Sequence, residues 1–193
     1  MKKTLLLFTL LISAVLSTYA QNDDYALKLG AGFSFGAAIG SNSGAYPAAG
    51  GVHVKLEYPL SDTQLSLTFS TGYTFYVSAN GYSYETTSNG NTYTNSSILS
   101  FVPVQVGAKY YVANRFFVAG EAGVLYFLDS RLGDENGKAI ARVSPLIVPS
   151  VGYTIPFGRT RGSVDLSVGY EANPQSGGGY NQAFFKSTFN FGM

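Results

Sequence analysis

The sequence predicts an all-β fold, an eight-stranded antiparallel up-and-down transmembrane β-barrel. Three observations predict it. Apolar residues alternate with small or charged ones over nearly the whole chain beyond residue 20. The connections between these stretches alternate long and short, and an export leader stands in front of them. The first stretch shows the principle: Tyr25, Leu27, Leu29, Ala31, Phe33, Phe35, Ala37 and Ile39 share one side of an extended segment, while Lys28, Gly30, Gly32, Ser34 and Gly36 share the other. One face suits lipid and the other water, and soluble sheets rarely keep this up for so long.

Residues 1–20 read as a signal peptide and 21–193 as the barrel domain. Lys2 and Lys3 precede the apolar run Leu5 to Leu16, and Thr18-Tyr19-Ala20 ends in the small residue that leader cleavage needs, so the mature chain is expected to begin at Gln21. The apolar run falls short of the roughly 20 residues a spanning helix requires. No later stretch is apolar for long enough either, which leaves strands as the only means of crossing a bilayer.

Composition agrees with this. The chain has no Cys and no Trp, 23 Gly, 15 Tyr and 14 Phe, and 12% charged residues. Without Cys it forms no disulfide and carries no lipidated cysteine, and a closed barrel pairs every strand without a covalent staple. Removing Lys2 and Lys3 leaves 10 basic residues against 11 acidic ones, a mature charge near −1, which argues against nucleic acid as a partner. A lone His makes no metal site, and no cofactor is called for.

Eight strands follow from the period-two pattern and the Gly, Pro, Asn and Asp clusters between them. They are Tyr25 to Ile39, Gly51 to Tyr58, Gln64 to Val77, Ile98 to Val112, Phe116 to Leu128, Val143 to Ile155, Ser163 to Glu171, and Ala183 to Phe191. The second and third strands present Val52, Val54, Leu56, Leu65, Leu67 and Phe69 outward; the fourth to seventh add Val102, Val104, Val106, Val118, Val124, Ile147, Val151, Val164, Leu166 and Val168. Tyr58, Tyr110, Phe116, Tyr153 and Phe189 lie near short turns and Tyr73, Phe75, Tyr126 and Tyr170 near long loops, as two interfacial girdles require. Pro103, Pro145 and Pro149 lack a ladder donor, which predicts bulges or bent pairing there.

The short connections are Pro59 to Thr63, Ala113-Asn114 and Pro156 to Gly162; the long ones are Gly40 to Gly50, Ser78 to Ser97, Asp129 to Arg142 and Ala172 to Gln182. In barrels of this class short turns face the periplasm, so both termini are expected there, in the outer membrane of a gram-negative bacterium.

The interior of an eight-stranded barrel is just filled by side chains. Strand phase turns Lys28, His53, Lys55, Glu57, Lys109, Glu121, Asp165, Glu171 and Lys186 inward, among Ser66, Thr68, Ser70, Gln105, Ser150, Thr188 and Asn190. Charges held out of bulk water persist when paired and hydrogen-bonded, so these side chains are expected to form ion pairs that close the lumen.

Phe101-Val-Pro-Val-Gln-Val-Gly-Ala-Lys-Tyr-Tyr-Val resembles the fourth strand of PorT-like outer-membrane β-barrel proteins, and Arg115-Phe-Phe-Val-Ala-Gly-Glu-Ala-Gly-Val is similar to their next strand. The resemblance implies a small outer-membrane barrel and no particular activity; a secretion role does not carry over without matching residues. The final Phe184-Phe-Lys-Ser-Thr-Phe-Asn-Phe-Gly-Met looks like the C-terminal strand signal read by the barrel-assembly machinery, although Gly192 and Met193 follow the usual closing aromatic residue.

Among functions, the sequence favours a structural or surface-interaction barrel, with a narrow channel or small hydrophobic-molecule transporter as the alternative. A lipid A-modifying enzyme ranks below both: His53 is followed by Val54, Lys55 and Leu56, not by the His-x-Ser-Asn spacing of lipid A deacylases, and no catalytic residue is assigned. Gly30-x-Gly32 lies in a strand, and Gly177-Gly178-Gly179 has no Lys-Ser or Lys-Thr behind it, so neither is a phosphate cradle. The expected surroundings are outer-membrane lipid, lipopolysaccharide and, during biogenesis, the barrel-assembly machinery. An extracellular ligand, unidentified by the sequence, would meet the hairpin around Asn89-Gly90 through Tyr82, Tyr84 and Tyr93.

Overall fold

The alternating segments pair with their sequence neighbours, and the first of them also pairs with the last. In the computed structural model, residues 27–40, 43–60, 63–79, 84–88, 91–95, 98–128, 143–157, 162–174 and 179–192 are described. The signal peptide, Tyr25 and the Asn89-Gly90 tip lie outside them. The strands are β1 (Lys28–Ile39), β2 (Ala48–Pro59), β3 (Leu65–Val77), β4 (Tyr84–Ser88), β5 (Asn91–Asn95), β6 (Ile98–Tyr111), β7 (Phe116–Phe127), β8 (Val143–Pro156), β9 (Gly162–Glu171) and β10 (Asn181–Gly192).

Eight of these close a barrel in the order β1-β10-β9-β8-β7-β6-β3-β2, every pair antiparallel. Closure gives the backbone of each strand partners on both sides, the condition for crossing a bilayer with strands. β4 and β5 form a separate two-stranded ribbon between β3 and β6, with Tyr84 opposite Asn95 and Thr86 opposite Tyr93.

The strands match the eight expected ones, with two adjustments. β2 starts at Ala48, three residues ahead of Gly51, because Ala48 and Ala49 continue the pairing with Ala37 and Gly36. The prolines shift no register. Pro103 and Pro149 instead leave gaps in ladders that resume in the same register: β3 pairs β6 on both sides of Gly72 and Tyr73, and β8 pairs β9 from Ser150 onward and again at Ile147 opposite Ala172. A missing N–H removes a bond without adding a residue, which is why no bulge results.

Alternation sorts the side chains as the pattern requires. Val52, Val54, Leu67, Phe69, Val106, Val118, Ile147, Val151 and Val168 are exposed on the outer surface. Val164 keeps the outward phase but is only 9% exposed, between Ile155 and Phe189 on the adjacent strands. Tyr58, Tyr110, Phe116 and Phe189 are exposed toward the short-turn end, and Tyr73 and Tyr126 toward the long-loop end.

Candidate functional site: the filled lumen

Among the described residues, chemically active groups converge on the inner surface. At the short-turn end, β2, β6 and β9 bring Glu57, Lys109 and Asp165 together. Lys109, 0% exposed, donates from Nζ to Glu57 Oε2 at 3.0 Å and to Asp165 Oδ2 at 2.6 Å. Its ammonium also lies over the rings of Phe117 and Tyr111, 4.3 and 4.7 Å from their centroids. Lys28 pairs with Glu57 at 3.4 Å, and Thr154 donates to Asp165 Oδ1 at 2.6 Å. Each buried charge thus has an opposite charge and further hydrogen bonds.

A second set lies halfway along the barrel. Lys55 stands 3.5 Å from Glu121, which also accepts from Thr68 at 3.0 Å. Ser70 donates to Gln105 at 3.2 Å, and His53 Nε2 shares a hydrogen bond with Thr188 at 2.8 Å. Gly32 makes room for that imidazole: a Cβ there would fall 2.9 Å from the His53 ring and 2.0 Å from the Ser187 carbonyl oxygen. Further toward the loops, Glu171 accepts from Lys186 at 2.9 Å and from Gln182, while the Lys186 ammonium lies 4.2 Å from the Phe184 ring centroid.

The long-loop end is filled in another way. Tyr180, from the β9–β10 connection, drops into the mouth among Tyr46, Tyr76, Phe101 and Phe127, with ring centroids 5.4 to 6.2 Å from its own. The Tyr76 hydroxyl donates to the Tyr180 carbonyl at 3.1 Å. Leu99, Leu125, Leu146 and Val148 complete this buried cluster. Burial pushes the Tyr180 hydroxyl above its ordinary value. Below the plug, Asn173 donates to Ser144 and to the Pro145 carbonyl, anchoring the end of β9 to β8.

Among the described residues, the lumen keeps a cavity of about 40 Å³, bordered by His53, Lys55, Glu121, Lys186 and Thr188 among others. It has room for a few waters at roughly 10–15 Å³ each and for no organic ligand. His53 Nδ1, Asn173 Oδ1 and Asn190 Oδ1 are buried without a hydrogen-bond partner among the described residues.

All nine titratable residues assigned inward from strand phase line this interior, and eight of them form the ion pairs above. Of the surface tyrosines, Tyr82 lies outside the described residues, and Tyr84 and Tyr93 take their places in β4 and β5. The aromatic plug was missed. Its strand members were readable, since the inward phase of Thr68 and Ser70 continues to Tyr76 and that of Gln105 runs back to Phe101 and Leu99. Tyr46 and Tyr180 lie outside the strands, where no periodicity applies.

No family model matches the sequence, and no curated protein matches it either. Solved structures do resemble it. The crystal structure of Ail, the attachment invasion locus protein of Yersinia pestis, in complex with the heparin analogue sucrose octasulfate superimposes with a TM-score of 0.50 at 11% identity, covering 86% of this chain and 99% of that one. Ail in a phospholipid bilayer nanodisc gives 0.50 at 11% identity, covering 87% and 100%. At this identity the likeness is one of fold, that of a small transmembrane β-barrel.

Proposed function

We propose that this protein is an outer-membrane barrel with a sealed lumen that acts through its surface, as a structural element of the membrane and a platform for its loops. The single observation that carries the reading is the filling of the lumen. Four lysines are matched by four acids along its length, and an uncharged aromatic cluster sits above them. An ion crossing such an interior would have to displace partners already matched in charge, at a cost of several kcal/mol per buried ion.

The signal peptide at residues 1–20, short turns and termini in the periplasm, and assembly by the machinery that reads the last strand belong to the same proposal. So does affiliation with PorT-like barrels, which rests on the strands around Phe101 to Val124. Ail was crystallised with a polyanionic sugar, which favours a loop face that meets polysaccharide or lipopolysaccharide here as well. Planar-bilayer recording of the purified protein tests the seal. No stepwise current above the detergent control is expected, and a steady single-channel current from the wild-type barrel would overturn the reading in favour of a narrow channel.

A further inference from the structure

Lys109, Glu57 and Asp165 are 0%, 1% and 4% exposed, and they come from β6, β2 and β9, no two of which are neighbours in the barrel. Their side chains therefore meet across the lumen. Lys109 Nζ lies 2.6 Å from Asp165 Oδ2, one bond short of the carboxyl carbon, and 3.0 Å from Glu57 Oε2. The other Asp165 oxygen, Oδ1, accepts from the Thr154 hydroxyl at 2.6 Å. Rings of Phe117 and Tyr111 lie against the nitrogen.

An amine held against an acyl carbon condenses with it when a base can take its proton, a donor meets the oxygen that gains charge, and water that would reverse the step is kept out. Glu57, Thr154 and burial supply these in turn. The second Glu57 oxygen is loosely engaged, 3.4 Å from both the Lys28 ammonium and the Tyr111 hydroxyl, which leaves this carboxylate able to carry a proton. Fixed contact between two reactants is worth effective concentrations of about 10⁵–10⁸ M.

We propose that this triad closes an amide bond between Lys109 Nζ and the Asp165 carboxyl carbon, a covalent tie from β6 to β9. Glu57 takes one proton from the Lys109 ammonium and passes it to Asp165 Oδ2. The free amine attacks the carboxyl carbon while Thr154 steadies the charge on Oδ1. The bond from that carbon to Oδ2 then breaks, a second proton from the nitrogen reaches the departing hydroxyl by way of Glu57, and one water leaves. No other reactant enters. One ammonium and one carboxylate are consumed together, so the net charge is unchanged and Glu57 keeps Lys28 as its partner. The water has somewhere to go, because Asp165 borders the lumen cavity of about 40 Å³. The ion-paired triad is the reactant and is present when the barrel first closes; residence in the membrane completes the bond. Unfolding of freshly refolded protein therefore reads the ion pairs, and unfolding of membrane-derived protein reads the bond. The proposal needs the closed barrel and is independent of whether the lumen conducts.

Intact-mass spectrometry of the mature chain tests it. Protein purified from outer-membrane fractions is expected to be lighter by one water than its sequence from the observed N-terminus, and trypsin should leave a branched fragment joining Lys109 to the 162–186 segment. Protein refolded from urea should start at full mass and lose the water with time, while the unfolded chain keeps it. Lys109→Arg preserves the positive charge without the amine and should stay at full mass. Asp165→Asn retains the acyl carbon and should release ammonia in place of water. Glu57→Gln should slow the loss about a hundredfold. A heat-modifiable gel shift shows which variants form a closed barrel, and where one does not, the wild-type mass and branched fragment decide alone. Full mass in membrane-derived wild type, a branch to Glu57, a loss of water that persists in Lys109→Arg, or a Glu57→Gln rate equal to wild type would each overturn the proposal.

Discussion

At the short-turn end the lumen is filled by charge, with Lys109 set between Glu57 and Asp165, and at the long-loop end by rings packed around Tyr180. The two fillings exclude water by different physics. The charged end depends on complete pairing, because each ion there stabilises the barrel only while its partner is present. The aromatic end depends on shape and area, and a lost ring leaves a gap that the neighbouring loops and water from the mouth can partly refill. The charged end is made wholly from strands, whereas the aromatic end borrows Tyr46 and Tyr180 from connections. The first is therefore expected to be the rigid lock and the second the adjustable lid.

Four measurements bear on that contrast, the largest effect first. Lys109→Met leaves buried Asp165 without an opposite charge and Glu57 with only Lys28 at 3.4 Å, and should cost about 3–5 kcal/mol in urea unfolding from vesicles. Adding Glu57→Met and Asp165→Leu to it should recover most of that loss, since the apolar replacement of a complete buried network is often neutral. A single-substitution cost no larger than that of an exposed pair, about 1 kcal/mol or less, would break the comparison. Tyr180→Ala should cost less, about 2 kcal/mol, and leave the barrel non-conducting, because the charged end still seals it. Appearance of a current in that variant would mean that the ring plug, and not the ion pairs, is the seal.

Smaller effects sharpen the middle of the lumen and the plug. A double-mutant cycle on Lys55 and Glu121 should give a coupling of about 1 kcal/mol, below that of Lys109, because this pair is longer at 3.5 Å and less deeply buried. Tyr76→Phe removes only the hydroxyl that donates to the Tyr180 carbonyl and should cost about 1 kcal/mol or less in the same unfolding assay.

The strands and the direction of their side chains were legible because a residue's side of the sheet depends only on parity once the register is held. Glu57, Lys109 and Asp165 could be turned inward from the alternation of their own strands with no knowledge of one another. Which partner each would meet depended on the stagger between strands far apart in sequence, and parity does not encode stagger. The loops were legible only as lengths. Tyr180 follows a run of three glycines and has no periodic neighbour, so nothing in the sequence marks it as a ring that folds back into the mouth. The prolines were read as sites of bulges or bent pairing, whereas Pro145 pairs in register with Val124 and Pro103 and Pro149 leave only gaps, because the kind of irregularity depends on whether a residue is added or only a bond removed.

The seam between β1 and β10 runs without a gap from Lys28 opposite Gly192 to Ile39 opposite Asn181. It joins the two strands most distant in the chain, and so is expected to be the last pairing to form. Until β10 reaches its place, a nascent sheet carries two bare edges, each able to accept a strand from any other chain nearby. Such a non-local closure is also slow, as loop entropy must be overcome before any of its bonds forms. The continuous ladder that makes the finished wall secure therefore implies a vulnerable interval beforehand, during which the unfinished sheet needs an escort to keep its edges from the wrong partner.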